Sequence, residues 1–125
     1  MPETLEMHKE IVEIKREIKD IKATQELDIR LNRDRYIAFV DRVIGNSKER
    51  ALVFLAINGV RRLKEIAERT HLKLPNVSRA KKVLEREGLI YRLPETGLYA
   101  KPRWVKILHI DEYVRKKFGI EEFYE

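Results

Sequence analysis

The sequence predicts a mainly α-helical chain with one small β-hairpin, and three observations predict it. Apolar residues recur at helical spacing through the first third. Glycines and prolines then punctuate the middle at intervals of about one helix length. A single turn signal, Pro94-Glu95-Thr96-Gly97, separates two short runs of strand formers. The 125 residues suffice for one compact core and an appendage, which makes a second full domain unexpected.

Residues 5–44 contain neither glycine nor proline. Within them Met7, Ile11, Ile14, Ile18 and Ile21 alternate steps of four and three, the spacing of a heptad seam. Gln25 and Asp28 occupy the next seam positions, and apolar residues resume at Ile29, Tyr36, Val40 and Val43, a register shift of the kind a stutter produces. One helix over this stretch would be about 60 Å long, too long to pack wholly on the rest of the chain. Each seam side chain left in water forgoes about 1.5 to 3 kcal/mol. Residues 1–45 therefore read as a long N-terminal helix that forms a coiled coil, with a homodimer through Met7, Ile11, Ile14, Ile18 and Ile21 as the simplest cover. Parallel and antiparallel pairing both remain open.

Gly45 is a C-cap candidate, and Asn46-Ser47 offers an N-cap to a buried helix over residues 48–57, which Asn58-Gly59 ends. A short helix over residues 61–70 carries Leu63, Ile66 and Ala67 on one face. His71-Leu72-Lys73-Leu74 makes the turn, Pro75 opens a third helix running to about Glu87, and Gly88 caps it. Two helices joined by a four-residue turn form a helix-turn-helix. Residues 89–93 and 98–100 then pair across the tight turn, which completes a domain over residues 46–101. Residues 102–125 read as a strand/helix segment packed on that domain. Within it, residues 102–118 fit one helix or a strand followed by a helix, with Asp111 as a cap and Gly119 as the end.

Charge is uneven along the chain. Residues 1–45 carry nine Lys/Arg against ten Asp/Glu, whereas residues 61–106 carry thirteen against five. A basic excess of +8 in one segment, out of +6 overall, is expected when one surface meets a polyanion, and a solvated basic face would give the same pattern. With no cysteine there is neither a disulfide framework nor a thiolate metal site, and a reducing cytoplasm is the expected compartment. His8, His71 and His109 are too scattered for a metal site, so no metal and no cofactor are expected. No apolar run approaches a membrane span, and no glycine loop or Ser/His/Asp set supports catalysis, so neither a membrane protein nor an enzyme is expected. Adjacent acids such as Glu121-Glu122 read as a solvated end. Charged residues at 38% and a single glutamine, Gln25, lean toward a thermophile.

The stretch LKEIAERTHLKLPNVSRAKKVLEREGLIYR, residues 63–92, resembles winged helix-turn-helix regulators of the MarR and ArsR type. Ile66-Ala67 and Thr70 match their second helix, and Leu72 matches the buried leucine of the turn. Val77-Ser78-Arg79 matches the start of the recognition helix, and Leu84-Glu85 with Gly88-Leu89-Ile90 matches its exit into the wing. Two positions depart from the pattern. His71 stands where glycine is usual, and Lys81 stands where an aliphatic residue is usual. The resemblance implies a winged helix-turn-helix fold and double-stranded DNA as the partner.

On a helical wheel Val77, Ala80 and Leu84 form the core face of the third helix, with Pro75, Ser78, Arg79, Lys82 and Arg86 opposite. For a recognition helix this assigns Asn76, Ser78 and Arg79 to base edges, since arginine binds guanine O6 and N7 in bidentate fashion. Arg61, Arg62, Lys73, Lys81, Lys82 and Arg86 are assigned to phosphates, as are Arg92, Lys101 and Arg103 at the base of the hairpin. The hairpin tip carries Glu95 and no cation, so the wing is expected to position the domain, not to read the minor groove. The aromatic residues Tyr36, Phe39, Tyr99 and Trp104 read as core, and no small-molecule effector is expected. The functional expectation is a homodimeric, sequence-specific transcription regulator, a repressor, on an inverted repeat. Two alternatives stand beside it: a protein-interaction or assembly module, and a DNA-binding protein of plasmid or viral replication or partition.

Overall fold

A computed structural model describes residues 2–121, with side chains from residue 4. Of the segment expected over residues 102–125, Glu122 and the three residues after it lie outside the described residues. The chain divides between Asn32 and Arg33 into two compact units.

The first unit is a single helix, α1 (Pro2–Leu31). Its seam residues Met7, Ile11, Ile14, Ile18 and Ile21 are 47–63% exposed. The long N-terminal helix is present but shorter than the expected residues 1–45, because helical structure is interrupted at Asn32 and resumes as α2 (Arg33–Ile44). The amide of Asn32 donates Nδ2–H to the Asp28 carbonyl at 2.8 Å and to the Asp28 carboxylate at 3.3 Å. Its backbone N–H is shared between the carbonyls of Asp28 and Ile29, at 3.1 and 3.2 Å. A short amide side chain that competes for backbone partners in this way tightens the last turn and ends the regular ladder.

The second unit holds the core. It contains α2, α3 (Lys48–Ala56), α4 (Leu63–Thr70), α5 (Leu74–Arg86), β1 (Tyr91–Arg92), β2 (Tyr99–Ala100), α6 (Arg103–Ile107) and α7 (Ile110–Phe118). Helix α3 is central and packs against α4, α5 and α7. Its Ala51, Val53, Phe54 and Ala56 are buried, as are Val40 and Val43 of α2 and Ile110 and Val114 of α7. Ser47 caps α3, its hydroxyl accepting from the Arg50 N–H at 3.2 Å. Asn58 closes the next turn, with Oδ1 accepting from the N–H groups of Val60 and Arg61 at 3.1 Å.

Between α4 and α5 the chain turns at His71, which adopts the left-handed conformation at φ 59° and ψ 26°. The residue that stands in the usual glycine position thus takes a glycine-like backbone, at a cost that histidine bears better than branched side chains do. At the far end of α5, Gly88 has φ +85°, and its N–H donates to the Glu85 carbonyl at 3.1 Å. The Leu89 N–H reaches back to the Leu84 carbonyl at 2.9 Å, which completes a Schellman motif.

That motif also shortens the hairpin. Leu89 and Ile90 both direct their N–H groups to Leu84, so the ladder expected over residues 89–93 begins only at Tyr91. Tyr91 pairs with Ala100 and Arg92 with Tyr99, antiparallel, and the Leu93 N–H donates to the Leu98 carbonyl at 2.7 Å beyond them. On the other side of β2 the Gly59 N–H donates to the Tyr99 carbonyl at 2.9 Å and ties the hairpin to the loop before α4.

After the hairpin no strand forms among the described residues, and neither alternative for residues 102–118 holds as drawn, since two short helices take the place of one helix or of a strand and a helix. Pro102 fixes an extended residue, at φ −58° and ψ 154°, and α6 starts directly after it. Trp104 packs its ring 4.9 Å from Tyr36 and 6.1 Å from Phe39, centroid to centroid, so tertiary contact overrides strand propensity here. His109, again left-handed, separates α6 from α7, and Gly119 ends α7 as expected. Asp111 lies in the first turn of α7 and is not its cap. Asp41 on α2 accepts from Tyr113 Oη at 2.7 Å and from Lys117 Nζ at 2.9 Å. Burial alone would raise the Asp41 carboxyl, but these bonds and the Lys117 charge outweigh it and hold it below its ordinary value. No helix among the described residues is long and apolar enough to cross a membrane.

Candidate nucleic-acid interface

Helix α5 divides cleanly into two faces. Val77, Ala80 and Leu84 are buried against the core. Pro75, Arg79, Lys82 and Arg86 are exposed, and Asn76 and Ser78 lie half-buried at the flanks. The division follows from 3.6-residue periodicity, since residues three and four apart share a face. Arg86 places Nε 3.6 Å from a Glu87 carboxylate oxygen, a long contact between two exposed side chains that holds the arginine only weakly. Lys73 at the N-cap of α5 and Arg62 at the N-cap of α4 are exposed as well.

Three of the expected phosphate contacts are instead engaged internally. Arg61 is only 6% exposed and donates from Nη1 to the Ala56 carbonyl at 3.0 Å, which satisfies the C-terminal end of α3. Burial lowers its pKa, as does the neighbouring Arg69, partly offset by Glu65. Lys101, its side chain 12% exposed, donates to both carboxylate oxygens of Asp111 at 3.0 Å and to the Leu55 carbonyl at 3.4 Å. Its ammonium also sits 4.6 Å above the Phe54 ring. Lys81, likewise 12% exposed, donates to the Tyr99 hydroxyl at 3.0 Å and to Glu85 at 3.5 Å. Nothing local in the sequence distinguished Arg61 and Lys101 from their exposed neighbours, because their partners are set by the tertiary fold, whereas Lys81 was marked by standing where an aliphatic residue is usual.

Around the hairpin, Arg92 is exposed and its guanidinium packs over the wing turn. A methyl group built at Gly97 would lie 3.2 Å from Arg92 Nη2, and Gly97 itself has φ +73°, so glycine serves both the turn and the close approach. Pro94, Glu95 and Thr96 form an exposed tip with no cation. Arg103 begins α6 and is exposed.

The wheel missed one residue on the outer surface of this unit. Leu74, assigned to the turn in sequence, is the first residue of α5 and is 48% exposed. It stands one helical turn before Ser78, so the i,i+4 spacing was the signal available.

Residues 50–97 match the model of the MarR family. The match runs from within α3 to the wing turn, under half of the chain, and leaves out α1, α2, α6 and α7. No curated protein and no solved structure matches the chain.

Proposed function

We propose, from the premise that residues 50–97 are a MarR family winged helix-turn-helix domain, a fold of DNA-binding transcription regulators, that this chain is a homodimeric repressor reading an inverted repeat in double-stranded DNA. The observation that carries the reading is the outer face of α5, where Arg79, Lys82 and Arg86 stand exposed directly opposite the buried Val77, Ala80 and Leu84. A helix pinned by one apolar face and cationic on the other suits the major groove, which admits an α-helix and offers each base pair a distinct pattern of donors and acceptors.

In this reading Asn76, Ser78 and Arg79 meet base edges, and Leu74 meets a thymine methyl. Arg62, Lys73, Lys82, Arg86, Arg92 and Arg103 meet phosphates. Residues 46–101 act as the DNA-binding domain and residues 1–45 carry the dimer contact. The exposed seam of α1 supports a second copy as its cover, since five large apolar side chains on one stripe gain from mutual burial. Two joined domains would place their recognition helices in successive major grooves, about one helical turn apart, and occupancy would block polymerase.

The test compares two neighbouring cations. Arg79→Ala is expected to cost about 1 to 3 kcal/mol on the preferred duplex and to flatten preference among duplexes, measured by fluorescence anisotropy. Lys82→Ala is expected to weaken all duplexes alike and to reduce the salt slope by about one unit. If both variants lose the same affinity on every duplex, α5 does not read sequence through Arg79.

A further inference from the structure

Lys81 is the position at which the chain departs from the usual aliphatic residue, and its surroundings explain what the charge does there. It lies on α5 two residues after Arg79, and its ammonium donates to the Tyr99 hydroxyl at 3.0 Å while sitting 4.7 Å from the centre of the Tyr99 ring. The Glu85 carboxylate, one turn along α5, completes the set at 3.5 Å. Tyr99 belongs to β2 and stands directly opposite Arg92 of β1. Directly opposed residues of an antiparallel pair project from the same face, so Tyr99 and Arg92 share one side of the wing.

We propose that Lys81 and Tyr99 form a strut that fixes the wing against α5 and thereby sets the position of Arg92 relative to Arg79. Lys81 is thus a positioning residue, and the inference rests on the DNA reading above. A hairpin with two residues in each strand does not hold its place by ladder hydrogen bonds alone. The Gly59 N–H bond to the Tyr99 carbonyl anchors the wing backbone toward the loop before α4, and the Lys81 bond anchors the same residue toward α5. Burial alone would lower the pKa of Lys81, but Tyr99 and Glu85 outweigh it and raise it, which keeps the strut charged. An aliphatic residue at position 81 would pack against the Tyr99 ring but would give its hydroxyl no donor. Docked together, Arg92 and Arg79 meet the duplex as one rigid unit, and the ordering cost of the wing is met before binding.

Tyr99→Phe tests this while keeping the ring. In the free protein, hydrogen exchange at the Leu93 and Gly97 amides is expected to accelerate several-fold in Tyr99→Phe, with the α5 core amides of Ala80 and Leu84 unchanged. On duplex DNA, Arg92→Ala is expected to weaken the unmodified chain about fivefold and the Tyr99→Phe background less than about twofold, a coupling that a purely structural defect would not produce. Lys81→Met is expected to abolish the same coupling. Equal Arg92→Ala losses in both backgrounds, or unchanged exchange in the wing, overturn the strut. Absence of duplex binding by the unmodified chain overturns the regulator reading and the positioning role with it, and so is distinct from a failure of the strut alone.

Discussion

Phe54→Ala is expected to lower the stability of the folded chain by about 3 to 5 kcal/mol. Phe54 is fully buried in α3, the helix against which α4, α5 and α7 all pack. Removing the ring leaves a cavity that three helices would have to close together, and rigid elements collapse only partially. It also strips Lys101 of the aromatic face 4.6 Å below its ammonium, which removes one of the partners of a largely buried cation. Against a total stability of about 5 to 15 kcal/mol for a small domain, the loss is a large fraction. Urea unfolding followed by circular dichroism should show the midpoint fall by about 2 M at unchanged slope. A fall below about 0.5 M would mean that α3 is not the centre of the core.

The second large effect concerns the seam. The double substitution Ile14→Asp with Ile18→Asp places two carboxylates in the middle of the exposed stripe of α1, where burial against a second copy would require desolvating both. Sedimentation equilibrium is expected to report half the mass of the unmodified protein. Duplex affinity is expected to fall by about 10²-fold or more, because the second half-site contact loses the high effective concentration that tethering provides. Unfolding of the core over residues 33–121 should be unaffected, since both positions lie in the separate N-terminal unit. An unchanged mass would assign dimerisation elsewhere or remove it.

Much of this architecture was legible in particular residues. Val77, Ala80 and Leu84 were readable as the inner face of α5 because helical periodicity is local, and Gly88 was readable as its end because only the left-handed cap geometry explains glycine there. His71, marked in the sequence only as a departure from the usual glycine, adopts the left-handed conformation. What the sequence concealed was set by distant partners. Asn32 interrupts the N-terminal helix through an amide that turns back on Asp28, an alternative that competes with an apolar pattern continuing past it. Trp104 is helical because Tyr36 and Phe39 receive it. Arg61 and Lys101 look like their exposed neighbours along the chain, and only the fold brings Ala56 and Asp111 to them; Lys81 stood out at a usually aliphatic position, but its partner Tyr99 did not.

These internal engagements sharpen the electrostatic account. With three cations turned inward, the proposed interface is left with the exposed Arg62, Lys73, Arg79, Lys82, Arg86, Arg92 and Arg103, a smaller set than the segment's net charge suggests. Counterion release scales with the phosphates neutralised and not with net charge, so the salt dependence reports on that set directly. The most direct measurement is therefore fluorescence anisotropy of the unmodified protein on duplex DNA across a salt series from about 50 to 200 mM. The account predicts binding that weakens linearly in logarithmic coordinates, with a slope near −0.9 for each phosphate contact made. Failure to bind any duplex at about 50 mM salt, or binding indifferent to salt, would contradict it.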